Sequence, residues 1–249
     1  GTDATPPENA TGGETPKWID LGRTNRWRMF DTRLGTLTTD TGEITVTLAP
    51  GSSIGALGLL ELEGVSHVEV TMQQGASMVY TRTIDLDSTP IDSVFDWFFA
   101  DLQLETETVF MDLPQQWPSA TITVKLTGSG AIGIGMLVIG KPFEVGCAEW
   151  GVKASIDDWS LKKRDERFGT VEFVEGEYSK RVSLRTILEP HRFNMVYRQL
   201  AQFRATPCLY APSAQQRFAG LIAFGIASFD VDVPYPSVYY CSLEIEGLV

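Results

Sequence analysis

Between residues 43 and 139, apolar and polar side chains alternate in one short run after another, and each run stops at a cluster of turn-forming residues. In the run 43–48, Ile44, Val46 and Leu48 fall on one side of an extended chain, and in 67–72 Val68, Val70 and Met72 do the same. A period of two with a single apolar face marks a half-buried antiparallel strand. The runs 78–86, 108–113, 121–126 and 132–139 repeat it. Asp40-Thr41-Gly42, Gln74-Gly75, Gln115-Gln116-Trp117-Pro118 and Gly128-Ser129-Gly130 separate them, rich in residues that accept positive φ or fix the backbone in a turn. These six strands, with two more expected in the opening stretch, predict a mainly β chain whose residues 18–141 form a β-sandwich or jelly roll.

The pattern changes after Gly140. Runs 170–173 and 180–186 read as strands. From Pro190 onward Phe193, Val196, Tyr197, Leu200 and Phe203 recur at helical spacing, until Thr206-Pro207 stops the run. Strands are then expected over 208–211, 218–227 and 238–245. Residues 142–249 should therefore form a second β module flanked by one α-helix. Ahead of both, residues 1–17 contain no Val, Ile, Leu, Phe, Tyr or Trp and three prolines. Such a stretch cannot bury enough apolar surface to offset its ordering entropy, so it is expected to be a linker, the end of a segment removed upstream.

Charge narrows the function classes. Twenty Lys and Arg stand against 32 Asp and Glu, a net charge of −12. A sequence-independent grip on nucleic-acid phosphates needs the opposite balance, so no nucleic-acid binding is expected. The acidity is concentrated early: residues 1–141 hold eight basic and eighteen acidic side chains, and residues 142–249 hold twelve and fourteen. No apolar run reaches the roughly 18 residues of a membrane span, so no membrane insertion is expected.

Signals of catalysis and cofactors are weak. His67 and His191 lie in no metalloprotease or nucleophile motif, and no catalytic residue or enzymatic activity is assigned. Cys147, Cys208 and Cys241 are too scattered for a disulfide framework and are read as reduced and mostly buried; a shared metal or Fe–S site would need a further ligand. Asp85, Asp87, Asp92, Asp96, Asp101, Glu105 and Glu107 offer oxygen ligands for a structural Ca²⁺, but no calcium-loop spacing occurs, and a solvated acidic rim is the plainer reading. No cofactor is therefore expected. Gly128, Gly130 and Gly133 match a dinucleotide-binding spacing with no amphipathic helix after them, so they are read as a closely packed strand.

Two stretches offer recognition surfaces. Trp97 lies among Phe95, Phe98 and Phe99, flanked by Asp96 and Asp101. Aromatic faces stack on sugars while carboxylates accept hydroxyl protons, making these residues, with Trp117 in its own turn, candidates for glycan binding. The plainer reading of 95–101 is a buried loop or short helix plugging one end of the sandwich. Lys162, Lys163 and Arg164 open the densest charge run, with Trp159 before it and Phe168 after it. They form either an exposed hairpin tip or an arm that pairs with the acidic face of a neighbouring subunit. Tyr178, Arg181 and Arg185, in or beside the next strand, are further candidates for a subunit interface.

Several segments carry a family resemblance. Trp18-Ile19-Asp20-Leu21-Gly22, followed by Thr24-Asn25-Arg26-Trp27-Arg28-Met29-Phe30-Asp31, resembles virion proteins of tailed bacteriophages and prophages. So do the Leu-Val-Ile-Gly of 137–140, Asp158-Trp159-Ser160 and the closing Leu-Glu-Ile-Glu-Gly-Leu of 243–248. The first module looks like galactose-binding-type jelly rolls, and the second like the tail-tube type of β structure used by distal tail and baseplate-ring proteins. This resemblance implies a structural virion protein at the tail tip or baseplate, assembled in the host cytoplasm as a homo-oligomeric ring, a trimer or hexamer, among other tail proteins. The alternative it leaves open is a carbohydrate-binding module that contacts host surface glycans.

Overall fold

The computed structural model describes residues 23–31, 35–89, 91–101, 103–164, 171–176 and 178–248. The expected linker over 1–17 and the motif residues 18–22 lie outside them. The fold is mainly β, with curled antiparallel sheets and few helices.

The first sheet contains β1 (Thr38–Leu48), β2 (Ala56–Glu63), β3 (His67–Gln74), β4 (Ser77–Asp85), β5 (Thr108–Phe110) and β6 (Thr121–Gly140). Its order is β4-β3-β6-β2-β5, with β1 also on β6. Where a turn was expected at Gly128-Ser129-Gly130, β6 runs through as one strand of 20 residues. The glycines sit at the level of a register shift in β1 between Thr41 and Glu43, a bulge that lets both strands bend without ending. The first half of β6 runs between β1 and β3, with Val124 opposite both Val46 and Val70. Its second half runs between β1 and β2, with Ile134 opposite Thr38 and Leu62. Ile44, Val68, Val70, Ile122 and Val124 from one half meet Leu57, Leu59, Phe110, Ile132 and Ile134 from the other in one core. A single curled sheet thus forms both layers of a sandwich.

Strand β2 carries no alternating signal because it is buried on both sides. Leu57, Leu59 and Leu62 enter the sandwich core, whereas Leu60 joins a separate cluster on the outer face. The switch of phase falls at Glu61, whose φ is 53°, in the left-handed region. Opposite it β6 switches too: Ile134 and Leu137 face the core, while Met136 faces outward. Gly135 sits under the Glu61 side chain, where a Cβ would collide with it. The opening stretch holds no further strand among the described residues before β1; Asn25–Phe30 is a 3-10 helix that buries Met29. The Thr38 hydroxyl fixes it, accepting from the Met29 N–H at 3.0 Å and donating to the Asn25 carbonyl at 2.6 Å. Between β4 and β5 lies a short helix, α1 (Val94–Phe99).

In the second sheet, β7 (Cys147–Ala148) and β8 (Lys153–Asp158) lie along one edge of β11 (Tyr178–Leu188). Beyond β11 come β14 (Val238–Gly247), β13 (Ala223–Tyr235) and β12 (Cys208–Tyr210). Strands β9 (Leu161–Arg164) and β10 (Val171–Val174) pair with each other as a separate ribbon. Helix α2 (Phe193–Gln202) follows a 3-10 turn at Pro190–Arg192. It buries Val196 and Leu200 against Val182, Leu184, Leu188, Cys241 and Leu243. The strand expected from 218 begins only at Ala223, because Gln216–Leu221 coils as a 3-10 helix. A short apolar run does not distinguish the two conformations by period alone.

A third cluster joins the two halves: Leu60, Val109 and Met136 of the first sheet meet Phe224 of β13 and, just before that strand, Ala219 and Ile222. Gly58 leaves the space that the Leu209 side chain occupies. Across this seam the Lys180 ammonium donates to both Glu107 carboxylate oxygens, at 2.8 and 2.7 Å, and to the Ile222 carbonyl at 2.9 Å.

Candidate functional site

Two open surfaces rich in apolar side chains stand out among the described residues, one on α1 between β4 and β5 and the other on the separate β9–β10 ribbon. The first is α1. The Ser93 hydroxyl caps it, accepting from the Asp96 N–H at 3.1 Å and donating to the Asp96 carboxylate at 2.7 Å. The surrounding loop has a fixed stem. Ser88 N–H donates to the Gln103 carbonyl at 2.8 Å, and Gln103 N–H to the Thr89 hydroxyl at 2.9 Å. Asp87 accepts from both the N–H and the hydroxyl of Thr89, and those bonds hold its carboxyl below the usual carboxylate range. On this stem the helix displays Val94, Phe95, Trp97, Phe98 and Phe99, each 65–76% exposed. The short helix expected over 95–101 is therefore present, but it plugs nothing. Six residues make fewer than two turns, and its bulky rings pack on one another, Phe95 on Phe99 and Trp97 on Phe98, each pair at 4.7 Å. Asp92 and Asp101 flank it, both exposed.

Trp117 does not share this surface. It is 37% exposed in the turn before β6, beside the start of β4, where Gln74 and Ser119 side chains hydrogen-bond at 2.9 Å. The stem of the α1 loop leaves from the other end of β4. Eight residue steps of strand, about 27 Å, separate the two points. The four glycan candidates thus divide into Trp97, Asp96 and Asp101 at one end and Trp117 at the other.

The second surface is the β9–β10 ribbon. Asp158 accepts from the Ser160 N–H at 2.8 Å, and the Ser160 hydroxyl accepts from the Gly176 N–H at 3.0 Å, closing the base of the ribbon. Trp159, Leu161, Phe173, Val174 and Tyr178 are exposed along it, and the Lys162 ammonium lies 5.4 Å from the centre of the Phe173 ring. Lys163 is exposed beside it, and Arg164 ends the strand. Residues 165–170, including the rest of the charge run and Phe168, lie outside the described residues. At the root of the ribbon, Trp159, Ile226, Leu248, Ser179, Glu246 and Gly247 line an open groove of about 240 Å³. That is below the roughly 300–1,000 Å³ of small-molecule sites and suits a side chain better than a metabolite.

Arg181 and Arg185 are engaged within their own sheet. Arg181 bridges Asp157 at 2.9 Å and Glu244 at 3.6 Å, and Arg185 stacks on Tyr240 at 3.9 Å with Glu149 at 3.8 Å. These are cross-strand pairs that hold β8, β11 and β14 in register. Their place in or beside a strand made both candidates for a subunit interface and could not reveal these partners.

Three of the possible calcium ligands are engaged by other side chains. Asp85 pairs with His67, Asp87 with Thr89, and Glu107 with Lys180. Among the described residues no three His, Cys, Asp or Glu side chains stand together as an ion site. The cysteines occupy three strands, with β7 and β12 at opposite edges of the sheet. Cys147 is exposed, contrary to the expectation of mostly buried thiols, because it lies on the short edge strand; burial pushes the Cys241 thiol up to about 11. Among the described residues no helix is long and apolar enough to cross a membrane.

Lys180 carried no sequence signal as a functional residue, because β11 alternation assigns it only a side of the strand. The seam beside it encloses a cavity of about 60 Å³, lined by Arg82, Thr108, Val109, Gln216 and Ile222 among others. No family model, curated protein or solved structure matches the chain.

Proposed function

We propose that this chain is a non-enzymatic structural subunit of a larger assembly, a virion protein of the tail tip or baseplate of a tailed phage or prophage. The second sheet joins a homo-oligomeric ring, and the first projects from it. The observation that carries the assembly reading is the pair of exposed apolar surfaces, α1 and the β9–β10 ribbon. Contiguous apolar surface of this kind is uncommon on monomeric proteins and marks places where another surface docks. The phage assignment draws on the segment resemblance: Asp158-Trp159-Ser160 forms the root of the ribbon, and 243–248 runs from β14 into the seam.

A second reading is favoured by Trp97, 66% exposed and adjacent to Asp96: a carbohydrate-binding module that contacts host glycans through α1. Solution mass by light scattering over a concentration series, with negative-stain images of the same sample, separates the two. Discrete closed oligomers are the expected result. A chain that remains monomeric throughout, binds a glycan saturably and loses that binding on Trp97→Ala would replace the assembly reading with the carbohydrate one.

A further inference from the structure

In the second sheet Arg181 is in register with Glu246 and Arg185 with Ser242, so these side chains share one face. Toward one end of that face Arg185 stacks on the Tyr240 ring at 3.9 Å and lies 3.8 Å from the Glu149 carboxylate. An aromatic ring and a carboxylate there hold a guanidinium between them. Toward the other end, the groove at the ribbon root repeats two of these parts. Trp159 supplies the aromatic wall and Glu246 the carboxylate, with Ile226 and Leu248 as apolar walls of a space of about 240 Å³. The nearby basic residues have other neighbours. Arg181 bridges Asp157 and Glu244, Lys162 lies over the Phe173 ring, and Lys163 is in register with Glu172 across the ribbon. Among the described residues Glu246 forms no ion pair, and Asp158 and Glu175 at the ribbon base carry the same sign of charge.

This combination selects its occupant. A purely apolar side chain would fill the walls but strip water from Glu246 without replacing it, and an anion would be repelled. A guanidinium meets both demands: it is planar and weakly hydrated, stacks on an indole, and donates charge-assisted hydrogen bonds to a carboxylate, while its aliphatic stem covers apolar walls. We propose that the groove takes an arginine side chain of a partner protein, stacked against Trp159 and paired with Glu246. This rests on the assembly reading above for the existence of a partner and adds the chemistry that the partner presents.

The test titrates the full chain with acetyl-Gly-Arg-Gly-amide at constant ionic strength, following the Trp159 indole N–H and the Gly247 and Leu248 amides by NMR. The control peptide carries citrulline, which keeps the shape of arginine and removes its charge. Saturable shifts at the groove are expected with the arginine peptide, and binding weaker by about fivefold or more with citrulline. Glu246→Gln should bring arginine binding down to the citrulline level, and Trp159→Leu should weaken both peptides. Glu246 and Trp159 are exposed, so both variants should keep the wild-type fold, checked by circular dichroism. Equal binding of the two peptides, arginine binding that survives Glu246→Gln, or the absence of saturable shifts at the groove would each overturn the proposal. Oligomeric mass is a separate readout. A chain that binds the arginine peptide through Glu246 but stays monomeric keeps the groove and loses the closed ring; closed oligomers without arginine binding keep the assembly and lose the groove.

Discussion

At the scale of single residues, the seam between the sheets turns on Lys180 and Glu107. Burial holds the Glu107 carboxyl above the usual carboxylate range, outweighing the attraction of Lys180. A carboxyl with a raised folded-state pKa adds stability in full below its unfolded value, and that contribution is lost as pH rises through the raised one. Lys180→Met leaves the carboxylate alone in the seam at neutral pH. It should cost about 3 kcal/mol in urea unfolding there, toward the low end for an orphaned buried charge. As pH falls through its raised range the cost should shrink, because Glu107 then takes up a proton and no charge is left without a partner. Equal losses at neutral and acid pH would show that the two charges are not coupled. Neither residue stood out in the sequence as half of a pair: Glu107 read as one acid among many, and Lys180 as one alternating position. The ion pair spans 73 residues of chain and exists because β5 and β11 meet at the seam.

Among the elements, α1 owes little to the cores. Its side chains are exposed, and its order comes from the Ser93 cap and from the hydrogen-bonded stem. Ser93→Ala should therefore remove about 1 kcal/mol of local helix stability. Amide exchange at Asp96 and Trp97 should speed up several-fold while the midpoint of global unfolding hardly moves. A shift in that midpoint as large as the local loss would mean that α1 is part of the folding core. Helix α2 is the opposite case. Its apolar face was legible as 3.6-residue spacing because Val196 and Leu200 pack on the sheet, so Leu200→Ala should lower global stability by about 2–4 kcal/mol, measured by urea unfolding. Strands β1 and β3 were readable for a related reason, since each has one buried face, and β4 because one of its faces is half-buried. Strand β2 was not, because it is covered from both sides and changes phase at Glu61.

Across the whole molecule, the cluster of Leu60, Val109, Met136, Ala219, Ile222 and Phe224 makes the two sheets neighbours that share buried surface. Ile222→Asp places a carboxylate in that cluster. It should split one cooperative unfolding transition into two, followed by Trp fluorescence and circular dichroism in urea; coincident transitions would show that each core holds without the seam. Alternating hydrophobicity was enough to determine the mainly β character, most strands of both sheets and the flanking helix. Periodicity of this kind depends on near neighbours along the chain and on which side of each element is dry. Tertiary structure alone decided that β6 crosses both layers as one strand, that Lys180 meets Glu107, that Arg181 and Arg185 are held within their own sheet, and that the aromatic helix stays open. Those outcomes depend on which faces come together across long sequence separations, and a one-dimensional pattern marks a face as apolar without specifying what covers it.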